Sequence, residues 1–301
     1  MTTRTRPEST AIRRIGIVAK QQLHAAAEVV STLGLWLTER GAEAVFESDT
    51  ALLAGGTRGM TVSREELPRC VDLVVVLGGD GTLLSMADRI GQAERDVPIL
   101  GVNFGSLGFL TDIRIGELYP SLETVLDGSA RFDERLMLRS EAIRNDQRID
   151  TRIVLNDVVF TKGALSRMIE LSVSVGGTFV TRVKADGLII ASPTGSTAYN
   201  LAAGGPIVHP MVDALLLTPI APHTLSNRPV VIPASDDIEV TPHVDLSADD
   251  VFVTYDGQSG YPLRDADVVR VHRAERPLRL VKAPARSYFE LLREKLKWGE
   301  R

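Results

Sequence analysis

The stretch Val71-Asp72-Leu73-Val74-Val75-Val76-Leu77-Gly78-Gly79-Asp80-Gly81-Thr82 decides how the rest of the chain is read. Residues 71–77 are almost wholly aliphatic, the pattern of a strand covered on both faces, as in a parallel sheet. Three glycines around one carboxylate follow, and then Leu83, Ala87 and Ile90 fall at helical spacing. A strand that runs into a glycine-rich turn opening a helix brings backbone N–H groups close to a polyphosphate. It also turns the positive end of the helix dipole toward that ligand. Gly78, Gly79, Gly81 and Thr82 are therefore the candidate donor-phosphate loop. No Lys-Ser or Lys-Thr pair follows, so this is not a Walker loop, and the spacing is not that of a dinucleotide G-x-G-x-x-G. Asp80 stands where a carboxylate can accept the proton of an attacking hydroxyl. A weak base suffices there when the phosphoryl-transfer transition state is loose. The plainer alternative for Asp80 is an N-cap of the helix resuming at Leu83.

Outward from this motif the first third alternates strands and helices. Residues 15–18 read as a buried strand, and Leu23, Ala26, Val30, Leu33 and Leu37 then mark one face of a helix closed by Gly41. Residues 44–46 make a second strand. Residues 48–63, with Gly55, Gly56, Arg58 and Gly59, read as a polar loop able to flap over a site. A further strand at 99–102 ends in Asn103-Phe104-Gly105-Ser106-Leu107-Gly108-Phe109. This alternation predicts a parallel, Rossmann-like sheet with ligands at the carboxyl ends of its strands. After about residue 135 the texture becomes short β-rich runs at 153–160, 169–175, 178–183, 188–191, 230–232, 238–240 and 251–255, which predicts an all-β second domain. Phe289, Leu292 and Leu296 mark a last amphipathic helix that returns to the first domain. The expected organisation is a disordered tail over 1–12, an α/β domain over 13–135 completed by 275–301, and a β-rich domain over 136–274.

Composition bounds the function classes. The chain has 301 residues, 44% hydrophobic and 24% charged, enough for two moderate cores. Its formal net charge of -5, with Lys and Arg scattered, lacks the basic footprint that a nucleic-acid backbone requires. The single cysteine, Cys70, excludes an internal disulfide and fits a reducing compartment. The polar start and the lack of any apolar run near ~18 residues predict a cytoplasmic protein with no membrane role.

Three further runs carry polar chemistry. Asn156-Asp157 interrupts an apolar strand-like stretch, where two short polar side chains need partners. An amide beside a carboxylate can hold a ribose diol, and an Asx turn is the simple alternative. Lys184-Ala185-Asp186-Gly187 precedes an apolar strand, and Ser192-Pro193-Thr194-Gly195-Ser196-Thr197-Ala198-Tyr199-Asn200 offers hydroxyls around an exposed backbone with Tyr199 as a flat wall. Gly204-Gly205-Pro206-Ile207 lets the chain pass closely beneath it. Asp256-Gly257-Gln258 is a turn signal first and a ligand contact second.

In this order, G-G-D-G-T, N-F-G-S-L-G-F, L-N-D-V, D-G-L-I-I-A-S-P-T-G-S-T-A-Y and G-G-P-I-V-H-P closely resemble the NAD kinase family over roughly residues 13 to 295. The resemblance implies an N-terminal α/β domain, a C-terminal β-sandwich-like domain and a homodimer or homotetramer. It implies Mg-dependent phosphoryl transfer from ATP, or from polyphosphate, to the adenosine ribose 2′-hydroxyl of NAD. By the same matching, Asp80 accepts the hydroxyl proton, Gly81 lies against the nucleotide and Phe109 lies near the adenine. Asn156 and Asp157 bind the dinucleotide ribose and phosphates, and Asp186 contacts the nicotinamide side. Thr197, Ala198 and Tyr199 line the adenosine pocket, and Asn200, Leu201 and Ala202 continue that segment. Arg167, Lys184 and Gln258 are peripheral NAD contacts. The chain departs from the family pattern in three places: Asp157 where glutamate is usual, Ala202 where a serine is frequent, and Lys184 where an arginine fork is frequent. Which residues hold the metal is left open. The competing readings are a lipid kinase of the diacylglycerol or sphingosine type and a non-catalytic NAD(P) sensor.

Overall fold

A computed structural model describes residues 12–57, 59–163, 168–224, 226–244, 251–283 and 286–299. Backbone contacts divide the chain into two units. The first comprises residues 1–89, 95–133 and 279–301, and the second residues 90–94 and 134–278. The expected tail lies outside the described residues, apart from Ile12.

In the first unit the chain runs through β1 (Arg14–Ala19), α1 (Ala26–Glu39), β2 (Glu43–Glu47), α2 (Ser48–Leu53), β3 (Met60–Val62), α3 (Leu67–Cys70), β4 (Leu73–Leu77), α4 (Asp80–Gln92), β5 (Ile99–Asn103), β6 (Ile113–Arg114), α5 (Leu118–Leu126) and β7 (Phe132–Arg135). The second unit contributes β8 (Leu138–Arg144), β9 (Gln147–Val154), β10 (Asp157–Lys162), β11 (Ile169–Val175), β12 (Thr178–Ala185), β13 (Gly187–Ala191), the short helix α6 (Tyr199–Ala202), β14 (Ala214–Ile220), β15 (Val230–Pro233), β16 (Ile238–His243), β17 (Val251–Tyr255), β18 (Ser259–Leu263) and β19 (Val268–Arg273). β20 (Leu278–Val281) and α7 (Tyr288–Leu296) then close the chain.

The first sheet has the order β3-β2-β1-β4-β5-β20-β7, with β6 beside β5. Its pairs from β3 across to β5, and β5 with β20, are parallel. β1, β4 and β5 are buried along nearly their whole length, as strands covered on both faces must be. Helix α1 buries Ala26, Val30, Leu33 and Leu37, the stripe that its spacing predicts, and Gly41 follows it with φ +74°. Residues 48–63 differ from the expected loop. Glu47, itself 3% exposed, caps α2 by accepting from the Thr50 N–H, Gly55 and Gly56 close that helix at positive φ, and 60–62 pair with β2. Arg58 lies outside the described residues.

The second unit is a sandwich of two six-stranded sheets, β15-β14-β13-β10-β17-β18 and β12-β11-β16-β19-β8-β9, whose inner faces share one core including Leu138, Leu171, Phe160, Ile190, Val253 and Val271. Three of its hairpins turn on pairs at positive φ: Asn145-Asp146, Gly176-Gly177 and Asp256-Gly257. Those residue types tolerate the left-handed region that a two-residue hairpin turn demands. β10, β13 and β14 are buried on both faces. Val158 and Phe160 enter the sandwich core, whereas Val159, Ile189, Ala191 and Leu216 pack beneath Ala203 and Val208. The segment after β13 therefore lies across the outer face of its own sheet.

Two further expectations need correction. The run over 153–160 is not one strand, because β9 and β10 belong to different sheets and the chain crosses between them at Leu155-Asn156. In α7 the buried residues are Leu291 and Leu292, while Phe289 is 61% exposed. Among the described residues no helix is long and apolar enough to cross a membrane.

Candidate active site

In the first unit, β1 and β4 are neighbours, yet β2 and β3 lie to one side of them and β5 to the other. The connections leaving β1 and β4 part in opposite directions, and the carboxyl ends of two such strands form the usual ligand crevice of an open parallel sheet. The chain after β4 enters it as Gly78-Gly79-Asp80. Lys20, following β1, donates its N–H to the Leu77 carbonyl at 2.9 Å. Its Cβ stands 3.0 Å from where a Cβ on Gly78 would be. Gly79 and Gly81 need no unusual φ, and a Cβ on either would meet nothing within 4 Å. Their missing side chains leave the first turn of α4 bare: the Thr82 and Leu83 N–H groups turn back to the Gly79 carbonyl (3.0 and 3.3 Å), and those of Asp80 and Gly81 are the ones left for a ligand.

Asp80 does not cap its own helix. Its Oδ1 accepts the Leu110 N–H (3.1 Å), the Thr111 N–H (3.0 Å) and the Thr111 hydroxyl (2.9 Å), and its Oδ2 accepts the Phe109 N–H (2.8 Å). Three successive amides thus converge on one carboxylate, an arrangement suited only to an anion. Oδ2, with a single donor, is the oxygen that retains lone-pair capacity. Gly108 has no room for a side chain, because a Cβ there would overlap the Asp80 carboxylate. Asn103 steadies the same loop, donating to the Thr111 hydroxyl at 3.2 Å and accepting from the Gly105 N–H at 2.6 Å. Further along the strand ends, Glu47 accepts from the Thr50 hydroxyl (2.7 Å) and from Arg64 (3.3 Å), which also reaches Ser85 of α4 at 3.3 Å. Lys20, Arg64 and Thr111 escaped the sequence reading. The E-S-D-T run at 47–50, with an acid three residues before a threonine, is a capping signal from which the Glu47–Thr50 part of this network could have been found.

In the second unit, the corner between β9 and β10 is held by a second carboxylate. Asp256 accepts the N–H groups of Leu155 (2.8 Å), Asn156 (2.7 Å) and Asp157 (2.9 Å). The residue sits at φ +49° in the β17–β18 turn and is 9% exposed. The D-G-Q signal marked this turn, but nothing local showed that its acid reaches a strand some hundred residues away. The Asn156 amide and the Asp157 carboxylate make no hydrogen bond of their own among the described residues. Asp157 is 4% exposed, and burial, with the neighbouring Asp256 charge adding to it, pushes its carboxyl up to about 7. A buried acid without a partner is the kind of group that functional sites keep.

The hydroxyl-rich segment folds onto the same corner. Ser192 accepts from the Gly195 N–H and donates to the Leu155 carbonyl, and Gly195 has no Cβ because the Asn156 backbone occupies that space. Ser196 and Asn200 are fully buried and committed internally. The Ser196 hydroxyl bridges the Val208 carbonyl and N–H, and Asn200 bonds the Ser196 and Pro206 carbonyls and the Thr218 hydroxyl. Their side chains therefore brace the segment, and Tyr199, 45% exposed, is its open face. Thr197, Ala198 and Leu201 are half-buried, and Ala202 is exposed.

The remaining candidates lie elsewhere. Asp186 pairs with Lys162 at 2.9 Å, at the opposite end of the β10–β13 pair from Asp157, five residue steps or roughly 17 Å along the strand. Lys184 pairs with Glu170 at 3.0 Å and lines a cleft of about 500 Å³ with Arg182, Met168, His243 and Asp265. Gln258 is exposed in the hairpin turn. Phe109 is half-buried in the first unit. Arg167 lies outside the described residues.

Family models for the ATP-NAD kinase N-terminal domain and C-terminal domain match residues 15–130 and 155–283. The chain is 49% identical over 290 residues to an NAD kinase of Geotalea daltonii, covering 96% of this chain and all of the relative, and it shares the same identity and coverage with an NAD kinase of Geobacter sulfurreducens. The chain belongs to the NAD kinase family. Among solved structures it is similar to yeast NADH kinase complexed with NADH (TM-score 0.86, 26% identity, 97% of this chain and 89% of that one). It is also similar to an NAD kinase from Archaeoglobus fulgidus in complex with ATP (TM-score 0.74, 25% identity, 95% and 100%). The α/β unit and β-sandwich observed here are thus the two-domain fold of NAD kinases.

Two predictions follow from the two carboxylate corners. The folded-state value of Asp157, about 7, lies above the ordinary 3.8, so the folded chain keeps a proton that the unfolded chain releases between those values. The stability held by that proton is full below the lower value and is lost as pH rises through the upper one. Asp157→Asn, uncharged throughout, should match the parent near pH 4 and exceed it by on the order of a few kcal/mol at pH 8. Urea unfolding at the two pH values measures this; an equal difference at both would reject it. Gly108→Ala should destabilise the first unit by about 1–3 kcal/mol through overlap with Asp80. Thermal unfolding identical to that of the parent would contradict the cradle geometry.

Proposed function

We propose that this chain transfers the terminal phosphoryl group of ATP to the 2′-hydroxyl of the adenosine ribose of NAD, giving NADP and ADP. The observation that carries this is near-half identity to NAD kinases over essentially the whole chain, with G-G-D-G-T at the strand end where an α/β sheet binds ligands. The bare first turn of α4 receives the donor phosphates. The ribose oxygen forms a bond to the γ-phosphorus as the bond to the bridging oxygen of ADP breaks, and the hydroxyl proton passes to Oδ2 of Asp80. Basicity matters little in a loose transition state, so fixing that oxygen in place is the main contribution of the protein. In the second unit, Asn156 and Asp157 receive the ribose hydroxyls and Tyr199 offers a flat wall for the adenine. Ser196 and Asn200 act by holding the segment in shape.

A divalent cation, Mg²⁺ by its chemistry, accompanies the donor. Among the described residues no group of three or more His, Cys, Asp or Glu side chains forms a preformed cage for it, and Mg²⁺ is commonly carried by phosphate oxygens with few protein ligands. No step is assigned to it. What supports a homo-oligomer is the apolar exposure at two sheet edges, Phe179 and Val180 on β12 and Val230 and Val231 on β15. The reducing compartment implied by a lone cysteine supports a cytoplasmic setting. The full-length likeness to NAD kinases speaks against a lipid kinase, and an intact Asp80 speaks against a sensor without activity.

A coupled assay for NADP formation, run with NAD and NADH against ATP and polyphosphate, tests the reaction directly; no product with any pair would reject it. Asp80→Asn should lower kcat by about 10²–10⁴, with the KM for NAD nearly unchanged. A variant that keeps a large share of the parent turnover would remove Asp80 as proton acceptor.

A further inference from the structure

We propose that the C-terminal segment 286–295 positions Asp80, with Arg286 as its principal lever acting through the loop 109–112. The inference rests on Asp80 being the proton acceptor of the reaction proposed above, and it adds residues that no reading of the glycine motif reaches.

Four links join this segment to the loop and its continuation. Arg286 donates to the Asp112 carbonyl and approaches both oxygens of Glu117 at 3.4 Å. Arg114 pairs with Glu294 at 3.6 Å, and the Lys295 ammonium lies 5.8 Å from the centre of the Phe109 ring. The helix is anchored for this work, since Leu291 and Leu292 are buried and Ser287 caps its start in a capping box with Glu290.

The links are not equal. Arg114 and Glu294 are both at least half exposed, and such a pair contributes little. The Lys295 contact is near the outer limit of a cation–π interaction. Arg286 is different: its side chain is 17% exposed, it is charged, and it grips a backbone carbonyl while a carboxylate neutralises it from behind.

The loop it grips has neither helix nor strand of its own between β5 and β6. Its shape rests on side-chain anchors, and three of its amides, at Phe109, Leu110 and Thr111, point at Asp80. The C-terminal segment holds the ring of the first of these residues and the carbonyl of the residue after the last. The far end of the amide triplet is thereby fixed, and the near end is contacted, from a part of the chain 174 residues further on. Loosening that hold lets the amides wander and the Asp80 carboxylate with them. A displaced proton acceptor lowers kcat, whereas the contacts of Asn156 and Asp157 to the dinucleotide ribose, which lie in the second unit, are untouched.

The test uses the full chain carrying Arg286→Ala, Arg286→Lys or Lys295→Ala, with two readouts: amide hydrogen exchange and steady-state NADP formation from ATP and NAD. Arg286→Ala should speed exchange at residues 109–111 by about tenfold or more, with β4 unchanged. It should also lower kcat by about ten- to a hundredfold, with the KM for NAD changing by several-fold less than kcat does. Arg286→Lys should recover part of both effects, and Lys295→Ala should give a smaller loss in the same direction. Unchanged exchange at 109–111, or an effect on KM alone, overturns the proposal. If Arg286→Ala does not fold, the same comparison between the parent, Arg286→Lys and Lys295→Ala decides it. A parent chain that makes no NADP would sink the reaction itself, while the exchange experiment would still report whether Arg286 controls the loop.

Discussion

The first unit depends on one charge-assisted contact: the Asp80 carboxylate held by the amides of Phe109, Leu110 and Thr111. Neither half is stable alone. Three amides aimed at one point repel each other unless an anion sits there, and a half-buried carboxylate is costly unless donors surround it. Each therefore enforces the other, and the demand spreads outward. Gly108 must lack a side chain because the carboxylate takes its place, and Asn103 must brace Thr111 because that residue supplies two of the four donors. An amide side chain at position 80 would turn an NH₂ group toward N–H groups, so the acid is required by structure as well as by chemistry.

The second unit solves a similar problem with Asp256. Its carboxylate gathers the amides of Leu155, Asn156 and Asp157 at the point where the chain crosses from one sheet to the other. The resulting order is uneven. Asp256 is satisfied, whereas the Asp157 carboxyl alongside it is buried, raised and without a hydrogen bond among the described residues. Packing alone would place an apolar residue there. Keeping an acid sacrifices stability, and proteins accept that where a ligand supplies the missing partners.

How much of this was legible in the sequence depended on the range of the interaction. β1, α1 and β4 announced themselves because local periodicity reports which face is covered, and Ala26, Val30, Leu33 and Leu37 are all buried as their spacing requires. The glycine loop was legible for the same reason, lying between an aliphatic strand and an amphipathic helix. Residues 48–63 misled because a buried Glu47 cap and a three-residue edge strand look polar from outside. The run over 153–160 misled because apolar residues on either side of a sheet crossing keep the same alternation. The resemblance put Asn200 in the ligand-lining segment, and no local pattern showed that its side-chain amide is engaged within the chain. The grip of Asp256 on the 155–157 corner joins residues about a hundred positions apart, and no window on the sequence contains both partners.

That long reach also explains the division of labour. Phosphoryl transfer through a loose transition state asks little of a base and much of its placement. A carboxylate is an ordinary group, and what distinguishes Asp80 is the number of independent constraints on where it can be. Its own helix fixes the backbone, three amides fix the carboxylate, and the loop carrying those amides is tied down by side chains from the end of the chain. Each constraint comes from a different stretch of sequence, so the placement becomes complete only when the whole unit has folded. A glycine motif excised from this setting would keep its phosphate-binding turn and lose the fixed acid, which is why the motif alone is a weak signal and the folded unit a strong one.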